Sequence, residues 1–506
     1  MYKLGIVGFG VVGKSMLSFL RKHQEAYQVA VEDELHMQEV EQTFGAIEVW
    51  DKRVLGSDEK ELLQAYGATA VDSAAVDLLH FMQRQDFIVV SPGVDLAPYP
   101  HLRHKVLCEL DFFSTFFKKP VVAITGSVGK TTITRLLGML SSALPVAPLN
   151  PLVLARSFHL PPGKDRFRVT VGGNVGIGML DLVSLQDDLD AAVVELSSFQ
   201  LDLNNAFAPA IAIWSNFYPN HLDRHQTLEN YFKAKFNVMR LQQTNDVAII
   251  GWEVFNGCGA ALLDEQLGRL RSQVFITSSH RLDEDDIKRV AREDFYLLYS
   301  EKGAVIFEMY KQKYCLQRLT LVENVQLPDI TFLANWLQVI AALYAMGLDV
   351  SQLPAALASL SADALRNSLA HRMRLCATIR GVDFYDDSKS TIVQSTIAAV
   401  QRLAAGNRPI TLIVGGLGKG ADRSWLMQAL ACIPQVKRII SFGPESHVFA
   451  GATAFGTLEE VIGYINREMA AGDVVLFSPS GASYDFFKNF EHRGQVFEQL
   501  VRKLAP

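Results

Sequence analysis

Short runs of apolar, mostly β-branched residues recur along the chain, at positions 4–7, 87–90, 121–124, 191–196, 211–214, 410–414, 436–441 and 474–477. Most are continuously apolar rather than alternating, the pattern of parallel strands covered on both faces. Stretches with helical spacing separate them. This alternation predicts an α/β fold of three successive blocks, 1–106, 107–368 and 369–506, the last opening after an Ala-rich helix at 353–360. The stretch 255–315 is polar and weakly patterned, and is expected to be peripheral. One apolar stretch, 330–348, approaches the length of a membrane span, but Asn335 and Gln338 interrupt it. It is predicted to be a helix buried between protein layers, with no membrane insertion.

Composition agrees with that picture and narrows it. A chain of 506 residues has room for about three domains at roughly 100–200 residues each. Its 49% hydrophobic content supplies ample core and excludes wholesale disorder. The balance of 54 acidic against 48 basic residues, with no long Lys/Arg tract, argues against a general nucleic-acid binder. Five cysteines are scattered singly, without a Cys-x-x-Cys pair, so neither a disulfide framework nor a zinc ribbon is indicated. The first ten residues lack the features of a secretory signal, and a cytoplasmic location is the expectation.

The strongest local signal is AITGSVGKTT at 123–132. An apolar strand runs into a glycine turn and then a helical stretch, so backbone N–H groups can cradle phosphates. Lys130 can reach the terminal phosphates and the Thr131 hydroxyl can bind Mg²⁺. Only two residues separate Gly126 from Gly129, so the loop is a shortened variant of the usual pattern. A second glycine turn, GFGVVG at 8–13, follows the first apolar run. Alone it is a weak dinucleotide fingerprint. Its acidic partner could be Glu32, favoured by spacing, or Asp51, favoured by the neighbouring Lys52 and Arg53. Downstream, Glu195 ends an apolar run, where a carboxylate can hold Mg²⁺ opposite Thr131. His221 and Lys235 follow; read singly, each is an ordinary polar residue, and their company gives them interest.

In order along the whole chain, GFGVVG, VWDKR, SPGV, ITGSVGKTT, GGNVG, ELSSFQL, NHLDRH, HR, DDSKST, GGLGKGAD and SPSGASYDFFKNFEHRG resemble the landmarks of the Mur ligase family, ATP-dependent amide-forming enzymes of peptidoglycan synthesis. The resemblance implies a Rossmann-like N-terminal domain, a central P-loop ATPase-like domain with a parallel sheet, and a Rossmann-like C-terminal domain. It implies addition of D-glutamate to UDP-N-acetylmuramoyl-L-alanine by way of an acyl phosphate, with the third domain closing over the second. It assigns UDP-substrate binding to Gly10, Val11, Val12, Asp51, Lys52, Arg53, Gly93, Asn174 and Ser197, which favours Asp51 over Glu32. It assigns ATP to Gly126, Ser127, Gly129, Lys130, Thr131, Thr132, Asn335, Arg372 and Asp387. Two Mg²⁺ ions, or Mn²⁺, would be held by Thr131, Glu195, His221 and an N-carbamylated Lys235. The implied catalytic set is Lys130, Asn174, Glu195, His221 and Lys235, and the D-glutamate and product set is Lys389, Thr391, Lys419, Ser483 and Phe490. A monomer acting only on small molecules is expected.

The chain departs from the family pattern at Val128, Asn220 and Ala334, and carries extra residues near 29–44, 145–168 and 255–315. Competing readings are a sister ligase such as a folylpolyglutamate synthase, an NAD-dependent oxidoreductase built on 8–13, and a catalytically silent nucleotide-binding protein. The oxidoreductase leaves Gly126–Thr132, Glu195 and Lys235 without a task, and the silent protein leaves an intact set of polar groups unused.

Overall fold

The computed structural model describes residues 2–22, 27–33, 36–42, 44–147, 158–160, 163–328, 330–360 and 370–504, with backbone alone for the described residues between 27 and 45. Within the 145–168 segment, 148–157 and 161–162 therefore lie outside the described residues. Contacts group the chain into two compact units, Met1–Phe217 with Glu229–Ser359, and Tyr218–Leu228 with Leu360–Pro506.

The first unit holds two large sheets. Its N-terminal strands are β1 (Tyr2–Val7), β2 (Tyr27–Asp33), β3 (His36–Gln42), β4 (Phe44–Trp50), β5 (Ala68–Ala70), β6 (Phe87–Val90) and β7 (Val106–Leu107). Five of these form a wholly parallel sheet in the order β5-β4-β1-β6-β7. Strands β2 and β3 pair only with each other, antiparallel, as a hairpin. Glu32 sits on that hairpin, away from the sheet, so the spacing argument that nominated it fails. Between the first helix (Val11–Lys22) and β4, strands β2 and β3 are thus an inserted hairpin, and β4 is the next strand of the sheet after β1.

The second sheet has nine strands: β8 (Val121–Thr125), β9 (Val169–Gly173), β10 (Ala191–Glu195), β11 (Ile211–Trp214), β12 (Val247–Gly251), β13 (Gln273–Ser278), β14 (Phe295–Glu301), β15 (Ala304–Lys311) and β16 (Tyr314–Val322). Their order is β16-β15-β14-β13-β12-β11-β8-β10-β9. The strands from β9 to β14 are parallel, and β15 and β16 add an antiparallel edge. The stretch 255–315 is therefore no loose periphery: it supplies three and part of a fourth strand of this sheet, with Phe275, Leu297, Leu298 and Phe307 in the core. Helix Leu333–Ala345 packs against the sheet and is buried at almost every position. Among the described residues, no helix is long and apolar enough to cross a membrane.

The second unit is built on β17 (Arg374–Ile379), β18 (Val382–Asp386), β19 (Ile410–Val414), β20 (Val436–Phe442), β21 (Thr453–Phe455) and β22 (Val474–Phe477), in the order β17-β18-β22-β19-β20-β21. All but β17 run parallel. Apolar clusters fill both faces, one around Phe384, Phe442 and Phe477, the other around Val400, Leu412 and Leu426. The expected α/β architecture of three parallel-sheet domains is what the chain adopts.

Candidate active site

In an open parallel sheet, ligands bind beyond the carboxyl ends of the strands, where the strand order reverses. In the nine-stranded sheet that point is β8. The chain passes from β8 to β9 and β10 on one side, then crosses to β11 on the other. Glu195, ending β10, is level with Ile124, and Trp214, ending β11, is level with Thr125. The glycine turn thus leaves the sheet between a carboxylate and the Ser215–Asn216 pair.

Local geometry explains the turn. Gly126 has φ +150°, and a Cβ there would lie 1.9 Å from Ser215 Oγ. Gly129 has φ +85° and would press a Cβ to 2.5 Å from Asn335 Oδ1. Only glycine fits both places. The Asn216 side-chain carbonyl accepts from Ser127 N (3.1 Å) and Val128 N (2.9 Å), and Ser215 Oγ donates to Val128 O at 2.8 Å. Ser215 and Asn216 were absent from the sequence reading; their only signal was position, immediately after an apolar strand. Asn335 lies against Gly129, with its amide donating to Thr331 Oγ1 at 2.7 Å.

Two lysines converge on one carbonyl. Lys130 Nζ donates to Gly126 O at 2.9 Å, and Lys235 Nζ donates to the same oxygen at 2.8 Å. Lys235 is 1% exposed and lies 4.7 Å from the centre of the Tyr231 ring. Burial, reinforced by the charge of Lys130 and opposed by Glu195, holds its amine well below the usual lysine range. It is no solvated helix residue. Asn174 Nδ2 donates to Glu195 Oε1 at 3.1 Å, joining two further members of the implied catalytic set. A glycine backbone at a strand end, a helix N-terminus, an ammonium, the Thr131 hydroxyl and a buried carboxylate together suit a nucleoside triphosphate with a divalent cation.

The N-terminal sheet repeats this logic with other chemistry. Gly8, at φ +86°, turns the chain out of β1, and a Cβ on Gly13 would lie 2.3 Å from Gly8 O. Asp51, just past the end of β4, accepts from Phe9 N at 2.6 Å and from Arg53 N at 2.8 Å, and pairs with the Arg53 guanidinium at 3.2 Å. Burial opposes ionisation of Asp51, but these hydrogen bonds outweigh it and keep its carboxyl below the ordinary range. The acid thus orders the glycine turn and Arg53 together. Val11, Lys52 and Gly93 are exposed at the same edge, and nothing lies within 4 Å of where a Cβ on Gly10 or Gly93 would sit. Ser197 caps its helix, accepting from Gln200 N at 3.2 Å.

In the second unit Lys389, Thr391, Lys419 and Ser483 sit on loops past the carboxyl ends of β18, β19 and β22, and Phe490 opens helix Phe490–Arg502. Lys389 Nζ lies 3.5 Å from the Phe490 ring centre. Asp387 accepts from Ser478 Oγ at 2.8 Å and from Met373 N at 3.2 Å, and burial lifts its carboxyl to about 7. Lys419 has φ +51°, and Leu417 and Ala482 exchange backbone hydrogen bonds at 2.9 and 2.8 Å, tying its loop to that of Ser483. The segment carrying His221 (φ +56°) belongs to this unit; a Cβ on Gly420 would lie 2.9 Å from Asp223 N.

His371 anchors the same region. Its Nδ1 is 2.5 Å from Asp386 Oδ2, and its carbonyl accepts from Lys389 N at 3.1 Å. Gly494 is interior to helix Phe490–Arg502, where glycine is ordinarily unfavourable. A Cβ there would fall 2.2 Å from His371 Nδ1 and 2.7 Å from Asp386 Oδ2, which explains the glycine. The hydrogen bond to Asp386 raises the imidazole pKa, with burial opposing. Stability from this pair is thus fully present below the ordinary histidine value and is lost as pH rises through the raised one. A His371→Asn variant should lose about 1.5–3 kcal/mol of stability at the acid end, with the deficit shrinking at alkaline pH. Thermal melts of both proteins across pH 5.5–9 check this; a deficit that grows with pH would contradict it.

Residues 124–289 match the model of the Mur ligase middle domain. The chain belongs to the Mur ligase family, whose members form amide bonds at the expense of ATP. At finer grain, it is similar to three proteins called UDP-N-acetylmuramoylalanine–D-glutamate ligase. That of Geotalea uraniireducens is 31% identical over 84% of this chain and 85% of its own. The ligase of Vibrio cholerae serotype O1 is 30% identical over 99% of this chain and 98% of its own. That of Acidobacterium capsulatum is 31% identical over 99% and 96%. Among solved structures, the MurF ligase of Thermotoga maritima in complex with ADP aligns over 91% of this chain and 96% of its own, at TM-score 0.48 and 16% identity.

Proposed function

We propose that this Mur ligase joins D-glutamate to UDP-N-acetylmuramoyl-L-alanine, with ATP converted to ADP and phosphate. The observation that carries the reading is the convergence of Lys130 and Lys235 on Gly126 O beside Glu195, in a chain similar from end to end to D-glutamate ligases. The division of labour follows the three blocks: 1–106 for the UDP substrate, 107–368 for ATP and metal, 369–506 for the amino acid.

A carboxylate and an amine do not condense unaided in water. The substrate carboxylate first attacks the γ-phosphorus of ATP; ADP leaves and an acyl phosphate forms. The neutral amine of D-glutamate then attacks the acyl carbon, loses a proton, and phosphate departs. Lys130 neutralises charge on the transferred group and the turn amides hold the phosphate chain. Bound Mg²⁺, two ions by family resemblance, supplies further charge neutralisation between the reacting oxygens. Thr131 and Glu195 would hold one ion, and Lys235 would serve the other. Lys235 suits that task only after its neutral amine adds to CO₂, forming an N–C bond and releasing a proton, so that a cation becomes a carboxylate. Asn174 orients Glu195. Asp51 and Arg53 hold the UDP end, Asn335, Arg372 and Asp387 contact ATP, and Lys389 and Lys419 meet the two carboxylates of D-glutamate. Such a protein works in the cytoplasm, as a monomer.

Phosphate release should require ATP, the UDP-muramoyl-alanine and D-glutamate together. A panel of amino acids that includes both glutamate enantiomers tests it, with D-glutamate giving the highest rate. Equal ATP hydrolysis without any amino acid would sink the ligase reading.

A further inference from the structure

Arg423 belongs to no motif, yet it is 2% exposed at the carboxyl edge of the six-stranded sheet. Its guanidinium bridges the loops that follow three strands. Nη1 donates to Gly415 O at 2.9 Å and to Ser480 O at 3.3 Å. Nη2 donates to Gly416 O at 2.9 Å and to Glu445 Oε2 at 2.5 Å. The same Glu445 oxygen accepts from Gly418 N at 3.0 Å. One arginine–glutamate pair thereby ties the loop after β19 to those after β20 and β22. The close fit leaves no room for side chains: a Cβ on Gly481 would lie 2.4 Å from Arg423 Nη1.

These are the loops of Lys419 and Ser483. Lys419 itself is held at φ +51°, a left-handed conformation that costs a non-glycine residue energy, between Gly416 (φ +73°) and Gly420 (φ +74°), which adopt it freely. Such a loop keeps one shape only when its surroundings hold it. Buried apolar clusters support the strands beneath, and Arg423 meets them at the Phe449 ring, whose centre lies 5.0 Å from its guanidinium carbon. The hydrogen bonds of Arg423 end on loop carbonyls and one carboxylate. A planar fork with five donors can satisfy four such acceptors at once, whereas a lysine ammonium has three donors and no fixed plane.

We propose that Arg423, held by Glu445, is a positioning residue for the incoming amino acid: it sets Lys419 and Ser483 in register and thereby determines affinity for the amino acid's carboxylates. This rests on the reading that those two residues receive D-glutamate.

Steady-state kinetics on the full-length protein test it. For Arg423→Lys, the KM for D-glutamate should rise about tenfold or more, as expected from losing hydrogen bonds that set a charged contact. The KM for ATP and the kcat at saturating D-glutamate should stay within about twofold to threefold. Glu445→Gln is the milder probe, since its side chain is about one-third exposed at 35% and the substitution is nearly isosteric, so the variant should stay folded. It keeps an acceptor for Gly418 N but loses the charge, and should raise the same KM about threefold. If Arg423→Lys shows no cooperative melt, Glu445→Gln decides. A lowered melting temperature with an unmoved KM for D-glutamate in either folded variant would overturn the proposal, because Arg423 would then serve folding alone. Wild-type protein that uses a different amino acid refutes the D-glutamate reading, and the same KM split is then read with that amino acid. Wild-type protein without amino-acid-dependent turnover overturns both.

Discussion

Lys130→Ala protein loses turnover by roughly 100- to 1,000-fold or more, the scale seen when one preorganised charge-stabilising group is removed from a transition state. The loss falls on kcat as well as on the KM for ATP. Charge on the transferring phosphoryl group is greatest midway through transfer, so an ammonium at its oxygens is worth more there than in the bound substrate. The fold should not pay for the change. Lys130 begins helix Lys130–Ala143 half-buried, and its named hydrogen bonds go to the backbone oxygens of Gly126 and Ser127. Truncation removes charge and leaves no large hole. Phosphate release and a thermal melt, run side by side, make the measurement. Turnover within tenfold of wild type in a folded variant would strip Lys130 of its role.

Lys235→Ala carries a comparable penalty with a different signature. The wild-type amine is fully buried and its pKa is driven down by desolvation and by Lys130. More of it is therefore neutral near pH 7 than for an exposed lysine, and only the neutral amine adds to CO₂. On the proposed reading a carbamate on Lys235 would carry negative charge beside bound cations, so alanine should cost roughly 100-fold or more. Lys235→Arg retains a cation that cannot be carbamylated and should be no better. Bicarbonate, small enough for the vacated space and of the missing sign, should restore part of the activity to Lys235→Ala and none to Lys235→Arg. Intact mass under gentle conditions should show the added CO₂ in wild type. Equal activity of the arginine variant and wild type would rule the carbamate out.

Much of this was readable from the chain because the physics is local. A continuously apolar strand followed by glycines, lysine and threonine has few alternative uses, and β8 with its turn stands where it was expected. The first misreading concerned 255–315. Its strands β13 to β15 bury Thr277, Ser278, Tyr299 and Glu308 along with apolar groups. Glu308 is satisfied by the hydroxyls of Tyr299 (3.0 Å) and Tyr310 (2.7 Å), partners distributed over two strands. A polar residue with a distant partner looks like surface until the fold closes. Lys235 misled in the same way. Lys233, two positions earlier on the same helix, is solvated and pairs with Glu229, and the residue type gives no hint that the next lysine faces inward. Asn216 and Arg423 act on backbone atoms of neighbouring loops and so leave no motif at all.

Gly494 gives the last point. Its missing side chain is the space that the His371 imidazole and the Asp386 carboxylate occupy. Positions 123 residues apart in the chain are thereby locked into one evolutionary decision. Residue 494 has no room to grow while the imidazole keeps this place, and the backbone carbonyl of the same histidine accepts from Lys389 N. The two positions are therefore coupled: a larger residue at 494 should be tolerated together with a smaller one at 371 better than either change predicts by itself.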